Sequence, residues 1–306
     1  MNTILLFYKY VHIDNPVRFM RWQKKLCTEL GLKGRIIIAQ EGINGTVGGL
    51  PENTERYKKI MAEHPLFGDV DFKESQAEDQ GFPRMRIVVR SQIVETGLDA
   101  TQGRPENTGT HLTPAQTHAL IDAKPDNLVI LDTRNRCESA IGSFTDAVKA
   151  DIDTFRDFPA YVDKNLEQFK DKQVLMYCTG GVRCERATAY LKEKGVAEEV
   201  YHIEGGIHRY VEQFPDGHFR GKNYVFDGRI AVKVTDDILG ACALCATTCD
   251  EYYNCLNASC NKHFIACQSC IESFKMSCSS DCYQALENGT AKRRPLFKKT
   301  ANACVL

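Results

Sequence analysis

The 306-residue chain contains no apolar run long enough to cross a bilayer, so no helical membrane span is expected. Nor is there a charge imbalance. With 39 Lys and Arg against 40 Asp and Glu, any surface for a polyanion must be a local patch. No basic residues precede the first apolar run, Ile4-Leu5-Leu6-Phe7, which therefore reads as an opening strand and not as a signal peptide. The glycine spacing of a dinucleotide-binding turn is missing as well, and no nucleotide cofactor is evident. Cysteine, by contrast, is abundant. Nine of the fourteen fall between Cys242 and Cys282. In the absence of a leader, this clustering points to a reducing, cytoplasmic location where grouped thiols hold metal more often than they pair as disulfides.

The stretch Val174 to Ala187, VLMYCTGGVRCERA, organises the chain. Val174 to Tyr177 has the apolar character of a buried parallel strand. Cys178 ends it, Thr179, Gly180, Gly181 and Val182 form a loop, Arg183 closes the loop, and a helix is expected from Cys184 to Lys194. A thiol at such a junction can be held as thiolate by loop amides, the helix dipole and an arginine. Cys184 is either a resolving thiol for Cys178 or a half-buried small residue at a helix start.

Residues 1–95 read as strand, helix, strand, strand, helix, strand, an α+β ferredoxin-like (acylphosphatase-like) sandwich with an added strand. Turn chemistry is expected at Glu41 to Gly45, a short strand at Thr46 and Val47, and another strand near Val70 to Lys73. In the last strand Arg84, Arg86 and Arg90 share one face. Together with Arg18, Arg21, Lys24 and Lys25 on the first helix they suggest a basic surface for RNA phosphates, a solvated charged face being the alternative. Residues 96–111 are polar and rich in Gly and Thr and read as a linker. From 112 to 216, alternating strands and helices predict an α/β domain with a parallel sheet, with Cys178 at a strand's C-terminal end. No set of two histidines and one carboxylate for iron is discernible in this part of the sequence.

Residues 217–306 form the Cys-rich region. Cys242-x2-Cys245 and Cys267-x2-Cys270 supply two pairs for one tetrahedral zinc site. Cys255, Cys260, Cys278 and Cys282 supply a second, interleaved with the first, while Cys249 is spare and His263 is a substitute ligand. An iron–sulfur cluster remains open as an alternative. Lys292, Arg293, Arg294, Lys298 and Lys299 then form a basic tail, either an RNA contact or a solvated end.

Asp132-Thr133-Arg134, Ile141-Gly142, the Cys178 loop and Glu204-Gly205-Gly206 resemble a rhodanese domain, a family whose cysteine carries sulfur as a persulfide. Asp132 and Arg134 themselves read as a buried ion pair bracing the loop. Cys178 to Arg183 spans six residues, a sulfurtransferase length. The related phosphatases have one residue more, which disfavours phosphate chemistry. KYVHIDNP, AQEGINGT, YCTGGVRCE and the Cys-rich tail together resemble the bacterial tRNA wobble-uridine hydroxylase family over nearly the whole chain. That resemblance implies oxygen-dependent formation of 5-hydroxyuridine at position 34, with molecular oxygen as co-substrate and the tRNA anticodon arm as partner. It also implies an unknown electron donor and Cys178 as the essential residue. Two routes stay open: addition of the thiolate to C6 of uracil, or a persulfide or peroxidic sulfur on Cys178. Sulfur transfer to another acceptor is the alternative function.

Overall fold

The computed structural model describes residues 1–99, 101–260 and 262–295; Lys298 and Lys299 lie outside them. Two compact units are present, Met1–Asn135 with Asp146–His218, and Arg136–Thr145 with Phe219–Leu306. The ten residues 136–145, expected inside the central domain, thus belong to the C-terminal unit.

The first unit opens with β1 (Asn2–Tyr10), α1 (Pro16–Glu29), β2 (Lys33–Ala39), β3 (Gly42–Gly49), α2 (Pro51–Ala62), β4 (Lys73–Ala77) and β5 (Met85–Val89). Asn15 caps α1 by accepting from the Arg18 N–H at 2.9 Å, and Pro16 occupies its first turn. The sheet order β4-β1-β3-β2-β5 is ferredoxin-like, with β5 added parallel to β2. Leu5, Phe7, Ile36, Ile38, Ile43 and Val47 face α1 and α2 and share one core with Phe19, Leu26 and Tyr57. Each such side chain contributes roughly 1.5–3 kcal/mol by leaving water.

Two local expectations fail here. Gly42 to Gly45 are not a turn but the first half of β3. Gly45 lies against the Phe7 ring and Gly48 against the Gln80 carbonyl, where a Cβ would come within 2.6 and 2.2 Å. Close packing, not turn geometry, is what these glycines serve. The strand expected at 70–73 starts only at Lys73, where pairing with Leu6 begins.

The rest of the first unit carries β6 (Thr110–Leu112), α3 (Pro114–Ala123) and β7 (Leu128–Asp132). The chain then supplies α4 (Arg136–Ser139) and β8 (Gly142–Phe144) to the second unit. It returns with β9 (Val148–Lys149), α5 (Phe158–Lys164), α6 (Leu166–Phe169), β10 (Gln173–Tyr177), α7 (Val182–Lys194), β11 (Glu199–Ile203) and α8 (Gly206–Gln213). All pairings in the sheet β6-β11-β10-β7-β9 are parallel. The segment read as a linker is therefore partly structural: its end is the edge strand β6, and Gly103 N–H, Gly109 N–H and Thr108 bond to Glu193 and Thr188 of α7.

In the second unit β12 (Phe219–Tyr224) pairs antiparallel with β8 and with β13 (Ala231–Lys233). Beyond them lie the hairpin β14 (Tyr252–Asn254) and β15 (His263–Ile265), then α9 (Gln268–Ser273) and α10 (Ser280–Glu287). No helix among the described residues is long and apolar enough to cross a membrane.

Candidate active site

β10 delivers Cys178 at the C-terminal end of a central parallel strand, the edge where α/β sheets bind ligands. The chain turns through Gly181, whose φ of +102° suits only glycine, and enters α7. A Cβ on Gly181 would stand 2.9 Å from the Tyr8 hydroxyl, so β1 leaves no room over the loop. Gly206 is held as tightly from behind: its Cβ would fall 2.5 Å from the Cys178 carbonyl oxygen. At the start of α8 the N–H groups of Ile207 and His208 donate to the carbonyls of Cys178 and Thr179 at 3.0 and 3.1 Å. The Gly205-Gly206 pair is the seat on which the loop rests.

The Gly181 N–H donates to Cys178 Sγ at 3.1 Å. Burial alone pushes this thiol up. A hydrogen bond from the Cys184 thiol, the Arg183 charge and the amides of Arg183 and Gly181 outweigh burial, holding Cys178 well below the ordinary thiol range. Cys184 moves the opposite way, raised by burial and by the Cys178 sulfur beside it, so the shared proton stays on Cys184. Both thiols are buried. Arg183 Nη2 lies 3.5 Å from Thr179 Oγ1.

Asp132 and Arg134 are fully buried, with Nε and Nη2 donating to the two carboxylate oxygens at 2.8 and 2.6 Å. Thr133, between them, donates its hydroxyl to the Tyr177 carbonyl at 3.0 Å and sits 3.8 Å from Cys184 Sγ. Thr133 thus ties the end of β7 to the end of β10, and the Arg134 guanidinium lies over the Tyr177 ring at 5.6 Å from its centroid.

Beside the loop lies a cleft of about 1210 Å³, bordered by Tyr8, Tyr10, His111, Glu185, Arg186 and Gly205 among others. Tyr8 donates its hydroxyl to Glu185 Oε1 at 2.9 Å, and Tyr10 to the Val182 carbonyl at 3.3 Å. Arg186 donates to Glu41 Oε2 at 2.8 Å, which gives the AQEGINGT stretch a positioning task on α7. His111, Glu185 and His202 converge here, their donor atoms all within 4.8 Å of one another. No set of two histidines and one carboxylate was legible in the sequence, and the structure assembles two among the described residues: His118, Asp122 and His218, and this one. Its members come from β6, α7 and β11, and only the pairing of His202 with His111 in the sheet brings the imidazoles together. The sole sequence signal was a histidine one residue before the end of each of two strands.

The basic residues do not form one surface. In the sheet, Arg35 pairs with Arg86 and lies on the face that carries Leu6, Tyr8 and Tyr10. Arg84 and Arg90 follow by strand alternation. Burial, then the charges of Arg86 and Arg90, lower the Arg35 guanidinium, which marks the cluster as crowded. Arg18, Arg21, Lys24 and Lys25 are exposed on α1, which covers the opposite face. Arg35 was missed because a single arginine in an apolar strand reads as incidental.

In the second unit the thiols gather in two groups, Cys242, Cys245, Cys267 and Cys270, and Cys255, Cys260, Cys278 and Cys282. Cys245 and Cys267 sulfurs are 3.6 Å apart, as are those of Cys260 and Cys278. Two sulfurs each about 2.3 Å from a tetrahedral ion stand about 3.8 Å apart, so both groups fit a metal. Cys249 belongs to neither group. His263 is no substitute ligand: it stacks on Tyr252 at 4.3 Å and contacts Asn254 and the Tyr224 hydroxyl.

Three family models match the chain: a UPF0176 acylphosphatase like domain over residues 2–93, a rhodanese-like domain over 113–213 and a rhodanase C-terminal region over 220–283. A protein of Cytophaga hutchinsonii named tRNA uridine(34) hydroxylase is 41% identical over 282 residues, covering 91% of this chain and 89% of its own. Similar proteins of the same name occur in Corynebacterium jeikeium, 40% identical over 88% of this chain and 89% of theirs, and in Listeria welshimeri, 41% over 91% and 88%.

Proposed function

Because the chain belongs to the tRNA uridine(34) hydroxylase family, we propose that it inserts one atom of molecular oxygen at C5 of the wobble uridine of tRNA, with Cys178 as the reacting sulfur. The observation that carries this reading is the Gly181 N–H donating to the buried Cys178 sulfur at 3.1 Å, in a loop where Arg183 and the Cys184 thiol also hold Cys178 below the ordinary thiol range while burial and Cys178 hold Cys184 above it. Hydroxylating one C–H bond with O2 takes four electrons, two from the C–H bond and two from elsewhere. The two thiols supply the second pair. Uridine, O2 and both thiols give 5-hydroxyuridine, water and a Cys178–Cys184 disulfide, with all atoms and electrons balanced. An external dithiol reductant then restores the pair by exchange.

The anticodon arm docks on the arginine-bearing face of the β1–β5 sheet, which Tyr8 and Tyr10 continue toward the cleft. A base that reaches the sulfur displaces Tyr8 from Gly181. Each thiol group of the second unit holds one zinc ion, which supplies a cross-link to a region of few core residues. A tRNA substrate supports a cytoplasmic location.

The test is nucleoside mass spectrometry of tRNA from cells lacking the protein, complemented with wild type or Cys178→Ala. Loss of 5-hydroxyuridine derivatives, restored by wild type alone, supports the reading. A second reading, sulfur carriage, draws on the Gly181 amide at Sγ, which suits a persulfide anion equally. Unchanged tRNA together with thiosulfate-to-cyanide transfer dependent on Cys178 would replace the first reading with the second.

A further inference from the structure

The geometry points to a mononuclear metal site at His111, Glu185 and His202 that takes a divalent transition metal, iron(II) by its donor set, with open coordination positions facing the cleft beside Cys178. This deepens the oxygen-dependent reading and rests on it only for the choice of iron.

Sheet register brings two of the donors together. His111 and His202 are direct neighbours on the parallel strands β6 and β11, with ring centroids 4.0 Å apart. Glu185, from the first turns of α7, offers one carboxylate oxygen to each imidazole. Oε1 is 3.0 Å from His111 Nε2, and Oε2 is 3.7 Å from His202 Nε2. The second distance is too long for a hydrogen bond. Donors about 2.1 Å from a common metal stand about 3–3.5 Å apart when adjacent, so an ion here would draw Glu185 and His202 together by a few tenths of an ångström.

Glu185 Oε1 already accepts from Tyr8 and His111, and the unsatisfied part of the cluster lies at His202. His202 is fully buried, and its Nδ1 has no hydrogen-bond partner among the described residues, which leaves this ring under-satisfied. Its Nε2 lies 3.2 Å from the Thr108 hydroxyl and 3.7 Å from the carboxylate oxygen. Burial holds His202 down to about 4, leaving a neutral imidazole, the form that binds metal. His111 is partly exposed and, with Glu185, lines the cleft, so an ion held here would be open on that side. Tyr8, donating to Glu185 Oε1, is the kind of outer partner that orients a ligating carboxylate. Two nitrogens and one carboxylate with vacant positions are the donor set of non-haem iron(II) oxygenases.

The test uses the full-length protein with its thiol sites first loaded with two equivalents of zinc and no excess, so that later binding reports other ligands. Iron(II) is then titrated anaerobically into wild type, Glu185→Gln and His111→Gln, and nitric oxide is added to form an iron–nitrosyl detected by electron paramagnetic resonance. Cobalt(II) serves as a second probe, with weak d–d bands and no thiolate charge transfer as its signature. The expected result is one equivalent of iron and a nitrosyl signal in wild type, with affinity more than about 100-fold weaker in each variant, beyond the range seen when an outer partner is lost. Glu185→Gln keeps the shape of the side chain, and unchanged circular dichroism separates metal loss from misfolding. No nitrosyl signal in wild type, or equal binding in all three proteins, overturns the inference. Because the readout contains no tRNA, it stands apart from the hydroxylase reading: iron bound without hydroxylation refutes that reading alone, and hydroxylation by a protein that binds no iron at these residues refutes this one alone.

Discussion

Replacing Cys184 tests the electrostatics of the reactive loop most directly. The Cys178 sulfur is buried, and burial by itself would keep it protonated. Among the effects that oppose burial, the thiol of Cys184 stands first, ahead of Arg183 and the loop amides. A hydrogen bond to a charged acceptor contributes about 1.5–3 kcal/mol, and a thiol is a weak donor, so the lower end applies. At 1.36 kcal/mol per unit, Cys184→Ala should raise the Cys178 midpoint by about one pH unit. Cys184→Ser keeps a donor at the same place and should raise it by clearly less. The midpoint is read from thiolate ultraviolet absorbance, as a difference between each protein and its Cys178→Ser counterpart. The sign is fixed by the direction of the shift. A thiol depressed in the fold adds stability that is complete above its unfolded value and is lost as pH falls through the folded one. Cys184→Ala therefore narrows that window from its acid side. An unmoved midpoint in the alanine variant, or a serine variant displaced as far as alanine, would falsify the assignment of Cys184 as donor.

Other consequences are as direct. Asp132→Asn leaves the buried Arg134 guanidinium without its carboxylate, and should cost about 3–5 kcal/mol, seen as a lowered midpoint of thermal unfolding. Arg86→Ala with Arg90→Ala should weaken tRNA binding and reduce the salt dependence of log K by about two phosphate contacts, while Arg21→Ala with Lys24→Ala, on the opposite layer, should leave both nearly unchanged; equal losses from the two pairs would remove the sheet face as the docking surface. Metal analysis of the purified chain should give two zinc ions, falling to one in Cys267→Ala, and chelation should make residues beyond 240 protease-sensitive while the parallel sheet persists. Gly181→Ala should abolish activity through its φ of +102° and its contact with the Tyr8 hydroxyl, and Tyr8→Phe in the same protein should relieve only the contact.

What the sequence disclosed, it disclosed through local pattern. The strand Val174 to Tyr177, the thiol that ends it and the glycines after it could be read because a reactive loop is written in consecutive residues. The parallel sheet followed from alternation alone, and the ferredoxin-like sandwich from the order of strands and helices. The failures share a cause. Glycine in β3 was taken as turn chemistry because its partner, the Phe7 ring, is remote in sequence. The basic residues of α1 and β5 were joined into one surface because charge pattern does not tell which face of a sheet a helix covers. Residues 136–145 were assigned to the central domain by position, yet β8 pairs with β12, more than seventy residues later.

The same reasoning explains why the most consequential cluster was invisible. His111 lay in a segment that composition marked as linker, His202 in an unremarkable strand, and Glu185 beside a cysteine that drew the attention. None of the three carries a motif, because their spacing is set by sheet register and not by chain distance. Each element nevertheless had a separate reason to be there: β6 completes the sheet edge, β11 packs under α7, and α7 begins where the reactive loop must end. A loop that seats Cys178 at the start of α7 therefore carries Glu185 with it, one turn further on, toward the cleft and the two histidines. Reactive sulfur and carboxylate are fixed by one helix, so a change that shifts α7, such as loss of the Arg186–Glu41 pair, should disturb thiolate ionisation and metal binding together. Arg186→Met would show this as a raised Cys178 midpoint accompanied by weaker iron(II) binding in the same protein. A shift in one with the other intact would mean that the two features are mechanically independent and that α7 is not their common support.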